Sequence, residues 1–210
     1  DNLGLRSKDG LVFVDLDSPE CVFFGDAFLP PTPSVYGRPS KLRSKRVYRS
    51  AIPKSKAWKD KDGTCLVELR SNHQDMAPPS VHPSGEVLAW ESDIGDPPAV
   101  EAGVLTRAVK LCATAAVIAR HYNPPGTRHE WCLALAGMLR RRGVSEEEMV
   151  TMIREAARWS KDSHSNDRLR EVSSTYAHDD DDPTTGATRL KELSTGGLVE
   201  ALSNPLYWGT

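Results

Sequence analysis

The run Leu11-Val12-Phe13-Val14-Asp15-Leu16-Asp17 constrains this chain more than any other stretch. Its apolar start, rich in Val and Phe and preceded by the turn signal Lys8-Asp9-Gly10, reads as a buried strand ending in two aspartates. On a strand, residues i and i+2 face the same side, so Asp15 and Asp17 share one face. Two like charges about 4 Å apart repel by roughly 4 kcal/mol near a protein surface. A cation between them removes that cost, and oxygen ligands at this spacing suit Mg2+ or Mn2+. Two solvated aspartates at a strand end would give the same dipeptide.

A second asymmetry follows close behind. Between Tyr36 and Lys61 there are ten basic residues against one acid, Asp60, a net charge of +9 in a chain whose overall charge is −2. Such a run is usually a solvated face. Here it follows an acidic pair that wants a cation, and it contains Tyr36, Tyr48 and Trp58, with Trp58 the best candidate for stacking on a base. Together these features favour a phosphate-bearing partner, a nucleotide or a nucleic acid.

Residues 2–5 and 11–16 read as a hairpin around Asp9-Gly10. Residues 18–40 read as loop, since Pro30-Pro31-Thr32-Pro33 resists helix. Strands are expected at 46–50, 64–70 and 86–90, with a polar connector over 54–63, a rigid proline-rich loop over 77–85 and a linker over 92–99. Glu68 and Arg70 share a face of the 64–70 strand. After residue 100 the apolar spacing becomes helical, beginning with Val104, Leu105, Ala108, Val109 and Cys112. Thr127, with Glu130 as reciprocal partner, caps a second helix that stops at Gly143, and Ser145 caps a third. More polar helices are expected over 167–177, 188–193 and 198–202, with a solvated acidic loop at 179–182. The fold class is therefore α+β: a small mixed sheet over 1–95, then a helical bundle over 100–210.

With 39% hydrophobic residues and no apolar run approaching the roughly 20 residues of a membrane span, a soluble, cytoplasmic protein without a membrane partner is expected. The four cysteines form no CxxC pair, which argues against a zinc site and for a reduced compartment. The chain starts at Asp1, without Met, and enters a strand almost at once, so the sheet domain is expected to be N-terminally incomplete.

Three ordered motifs carry a family resemblance. These are Val14-Asp15-Leu16-Asp17; Gly37-Arg38-Pro39-Ser40 with Arg43-Ser44-Lys45-Arg46-Val47-Tyr48-Arg49; and Val67-Glu68-Leu69-Arg70 leading to Pro78-Pro79-Ser80-Val81-His82-Pro83-Ser84-Gly85. In order and spacing, residues 1–91 resemble the primase-polymerase domain of the archaeo-eukaryotic primase superfamily, found in phage, plasmid and mobile-element replication proteins. Residues 101–208, with His121-Tyr122-Asn123-Pro124-Pro125-Gly126-Thr127-Arg128-His129 and Pro183-Thr184-Thr185-Gly186, resemble the helical domain that often follows it.

The resemblance implies a DNA primase/polymerase. Asp15, Asp17 and Glu68 would hold two Mg2+ or Mn2+ ions in a palm-like sheet. Arg43, Ser44, Lys45, Arg46, Ser80 and His82 would meet the dNTP or NTP. Arg38, Lys41, Arg49, Arg140 and Arg141 would contact a single-stranded DNA template, and a helicase domain or subunit would be a further partner. One position departs from the family: it has Ser-x-His or Ser-His where this chain has Ser44-Lys45, and lysine cannot reproduce the geometry or neutral form of imidazole. A catalytically degenerate nucleic-acid-binding module is therefore the alternative. A metal-dependent nuclease is the third reading, since Asp15 with Glu68-Leu69-Arg70 loosely echoes an Asp…Glu-x-Lys site.

Overall fold

The computed structural model describes residues 2–7, 10–92, 95–178, 186–194 and 197–202. The fold is α+β, and the chain forms two compact units, Asp1–Ala113 and Thr114–Thr210.

The first unit is built on a six-stranded antiparallel sheet. Its strands are β2 (Leu11–Leu16), β3 (Val35–Arg38), β4 (Lys41–Arg49), β5 (Lys56–Lys59), β6 (Cys65–Arg70) and β8 (Ala89–Trp90), in the order β5-β6-β2-β4-β3-β8. β2 is central because both its faces are apolar: Val12, Phe13, Val14 and Leu16 are all buried. A separate ribbon pairs β1 (Leu3–Arg6) with β7 (Gln74–Ala77). Leu5 and Met76 of that ribbon pack on a core cluster of Phe13, Tyr36, Val47 and Leu88.

β1 is thus not the hairpin partner of β2. The local turn signal was overridden by non-local bonds. The Ser80 hydroxyl accepts from Leu3 N at 2.7 Å and donates to Leu3 O at 3.1 Å, while the Asn2 amide brackets Val81. Asp9 of that turn and the 179–182 acidic run lie outside the described residues.

Residues 18–40 are not a loop. Ser18 caps α1 (Pro19–Phe28) by accepting from Cys21 N, with Pro19 in the first turn and Glu20 favourable to the helix dipole. Cys21 and Phe24 bury its apolar side. β4 starts at Lys41 rather than 46, and β5 lies inside the expected connector. In the segment expected as a strand over 86–90, Val87 bridges Val81 and regular pairing is confined to Ala89–Trp90 on β3.

The helices follow the sequence pattern more closely. They are α2 (Ala102–Arg120), α3 (Arg128–Arg140), α4 (Glu146–Trp159), α5 (Ser165–Tyr176), α6 (Ala187–Leu193) and α7 (Leu198–Leu202). α4 starts in a full capping box between Ser145 and Glu148 and buries Met149, Met152, Ile153 and Ala156. Thr127 makes no capping bond to the helix: its hydroxyl donates to Pro124 O, and Glu130 pairs instead with Arg189. α2, at 19 residues with a mean hydropathy of 1.5 in its most apolar window, is long and apolar enough to cross a membrane, which corrects the expectation that no run approaches that length. Some 61% of that window is buried inside the protein, as in a core helix.

Candidate active site

The pleat lines up one residue from every strand of the sheet. Ala57 faces Glu68, Glu68 faces Asp15, Asp15 faces Lys45, Lys45 faces Tyr36, and Tyr36 faces Trp90. Directly opposed side chains sit about 5 Å apart, so the row brings a lysine and two carboxylates into contact on one face. Asp17, just beyond the end of β2, extends the acidic edge. The β1–β7 ribbon adds Asp75, whose side chain is 2% exposed.

Every acid in this cluster meets a cation of the chain. Lys45 Nζ lies 2.7 Å from Asp15 Oδ2 and 2.6 Å from Asp75 Oδ1. Arg70 reaches the same two carboxylates at 3.0 Å each and Glu68 at 2.5 Å. Burial works against the Arg70 charge, but Asp15, Asp75 and Glu68 outweigh it and raise its pKa further. Lys41 Nζ is 3.2 Å from Asp17 Oδ1.

Lys41 and Lys45 both reach the acids, and β4 bulges between them. Three residues of β3 (Tyr36 to Arg38) face five of β4 (Lys45 to Lys41), and Arg43 sits at φ 56°. Gly37 makes the bulge possible, since a Cβ there would lie 2.4 Å from Lys41 O.

Asp17, Glu68 and Cys65 form a group whose ligand atoms all lie within 4.8 Å of one another. Two carboxylates at that spacing suit one hard divalent cation, while the thiol beside them is a soft ligand. Burial, a hydrogen bond to Asp17 and the charges of Asp17 and Glu68 push the Cys65 thiol up to about 12, so without a cation it stays protonated at neutral pH. Sequence reading missed both Cys65 and Asp75. Neither gave a signal: a spacing of three on β6 puts Cys65 and Glu68 on opposite faces of a regular strand, and β7 is a short strand held by a distant partner.

The cluster opens on a cavity of about 510 Å³ lined by Asp15, Asp17, Lys45 and Asp75 and, at its rim, by Arg38, Lys41, Ser44 and His82. Arg38 Nη1 lies 2.8 Å from His82 Nε2, and the other ring nitrogen is 2.8 Å from Ser84 Oγ, which donates to Glu86 at 2.9 Å. A second cavity of about 360 Å³, lined by Ser55, Lys56, Glu68, Arg70 and His73, adjoins it across Arg70.

Other expected contacts go elsewhere. Arg46 is buried and pairs with Asp26 of α1, on the face opposite Lys45. Arg43 pairs with Asp26 and Glu91. Ser80 spends its hydroxyl on the Leu3 backbone, and Arg49 is exposed at the far end of β4. Tyr36, Tyr48 and Trp58 are core residues and offer no stacking face: Trp58 is 2% exposed and both tyrosines are fully buried.

The second unit carries its own buried polar network. Asp162, between α4 and α5, accepts from the Tyr122 hydroxyl and the His164 amide and pairs with Arg128 and Arg168. Burial would raise its pKa, but those donors together hold it below the ordinary aspartate value. Arg168 also forks onto Glu171, whose Oε1 lies 2.7 Å from His129 Nδ1. Residues 119–175, which span this network, match the family model for primase C terminal 1 (PriCT-1). That family is primase-associated. No curated protein and no solved structure matches the chain.

Near the C-terminal end of the matched residues, Arg140 donates to Thr175 O at 2.8 Å and to His178 O at 2.7 Å, closing the C-terminus of α5. Arg142 reaches Leu202 O at the end of α7, and the Arg141 guanidinium lies against Gly186. Arg140 thus closes the end of α5, and Arg142 reaches the end of α7.

Proposed function

We propose that the first unit is a primase-polymerase core that extends a primer, or an initiating nucleotide, on a single-stranded DNA template during replication of a phage, plasmid or mobile element. The observation that carries this reading is the acid-lined cavity: Asp15 and Asp17 line it at the end of the central strand, beside a rim of Arg38, Lys41 and His82, and Glu68 of β6 pairs with Asp15 and lies close to Asp17. The PriCT-1 match at 119–175 supports it, because that domain accompanies primases.

The reaction joins a primer 3′-hydroxyl to the α-phosphorus of a dNTP or NTP and releases pyrophosphate. A bound Mg2+ or Mn2+ would supply charge to the reacting phosphate oxygens. Asp17 and Glu68 would hold it, with Arg70 fixing the Glu68 carboxylate by two hydrogen-bonding nitrogens. Lys41 and Arg38 would meet the triphosphate at the rim, and His82, held between Arg38 and Ser84, would present a fixed ring edge to it. Lys56 and His73, lining the adjoining cavity, would receive the template backbone. Catalysis of this kind is positioning and charge stabilisation, so no nucleophilic side chain is required.

The pairing of Asp15 with both Lys45 and Arg70 favours a second reading, a binding module that grips nucleic acid without synthesis. Labelled primer-template, nucleotides and Mn2+ separate the readings. Extension that disappears in Asp17→Asn supports the polymerase; binding without extension supports the module; shortening of the primer points to a nuclease.

A further inference from the structure

Asp15 and Asp75 come from different sheets, are both buried, and face each other across one ammonium and one guanidinium. The Asp15 oxygen that meets Lys45 also meets Arg70, and the same holds for the Asp75 oxygen. This part of the cluster is already charge-compensated in a setting where charges are weakly screened. A divalent ion placed against Asp15 would stand beside two fixed cations, and each would repel it about twice as strongly as it repels another monovalent cation. The Asp17, Cys65 and Glu68 edge differs. Its ligand atoms converge within 4.8 Å, Glu68 shares one oxygen with Arg70, and Lys41 reaches Asp17 from the partly exposed rim.

We propose that Lys45 permanently takes the place of one of the two divalent cations of a two-metal site, so that the chain binds a single divalent ion, held by Asp17 and Glu68. The inference rests on the metal-dependent reading given above. Lysine suits the part: an ammonium is a compact charge with three donors, and two of them are spent on Asp15 and Asp75. The third is left for a phosphate oxygen on the cavity side, which Lys45 lines. Fixing this charge covalently removes one ion from the binding equilibrium, while the geometry of the remaining ion is set by the β2 and β6 ends.

The test counts Mn2+ ions on the full chain by calorimetry and by electron paramagnetic resonance, with and without a non-hydrolysable deoxynucleoside triphosphate. The wild type should bind one ion per chain with the spectrum of an isolated Mn2+, and Asp17→Asn should abolish that site. Lys45→Met should gain a second ion, visible as magnetic coupling between the two, and its melting temperature should rise with Mn2+ more than that of the wild type. A coupled pair in the wild type, or a folded Lys45→Met that still takes one ion, overturns the substitution of metal by lysine and leaves the metal-dependent reading intact. A wild type that binds no Mn2+ overturns both. Should Lys45→Met not fold, the wild-type count and spectrum decide alone.

Discussion

At the scale of single residues, the acids of the first unit divide by what holds them. Asp17 is partly exposed and pairs with Lys41 at the rim, an arrangement worth about 0–1 kcal/mol. Asp75 is buried under two cations and has no role in the proposed chemistry beyond holding Lys45 and Arg70. Asp17→Asn should therefore eliminate primer extension and leave the urea midpoint almost unchanged. Asp75→Asn should instead cost about 3 kcal/mol, since removing one partner of a buried pair strands the others. Equal destabilisation by the two substitutions in urea titrations would contradict this division. The basic run shows the same sorting. Five of its ten cations (Arg38, Lys41, Arg43, Lys45 and Arg46) are engaged by Glu86, Asp17, Asp26, Glu91, Asp15 and Asp75, so much of the +9 segment answers acids of its own chain.

At the scale of elements, the β3–β4 bulge shapes the candidate site and the α4–α5 junction carries the buried polar network of the second unit. Alanine at Gly37 would put Cβ 2.4 Å from Lys41 O and 2.8 Å from Arg43 N, both backbone atoms that cannot swing aside. Gly37→Ala should cost about 1–3 kcal/mol by overpacking and lower extension by displacing Lys41 and Lys45; a variant with unchanged melting and activity would show that the bulge is dispensable. In the second unit, the Asp162 pKa is held below its unfolded value by the His164 amide, the Tyr122 hydroxyl, Arg128 and Arg168, which together outweigh burial. The stability this contributes is full above the unfolded pKa of 3.8 and is lost as pH falls below it through the lower folded value. Circular dichroism between pH 5 and about pH 2 should therefore show an acid transition that Asp162→Asn makes shallower, with the variant less stable at neutral pH. An unchanged acid slope in Asp162→Asn would assign the transition to other carboxylates.

At the scale of the whole molecule, nucleic-acid binding should follow the exposed lysines of the β4–β6 segment rather than the arginines of α3. Replacing Lys54, Lys56 and Lys61 with alanine should weaken single-strand binding and flatten the log–log salt slope by roughly 0.7 for each phosphate no longer neutralised. Arg140→Ala should leave that slope alone and lower stability, because Thr175 O and His178 O lose their donor. The reverse pattern in fluorescence-anisotropy salt titrations would return the template to the helical unit. What rests on local chemistry is legible along the chain. The i, i+2 aspartates, the shared face of Glu68 and Arg70, the Ser145 cap and the apolar spacing of α2 and α4 are all properties of a few neighbouring residues. Even α1 was legible in Ser18-Pro19-Glu20, had the later prolines not dominated the reading. The tertiary structure alone decided which strand β1 pairs with, that Trp58 and Tyr48 are core rather than stacking platforms, and that Asp75 closes over Lys45. Each of these depends on burying a face that segments distant in sequence supply together, and no local window carries the free energy of that burial.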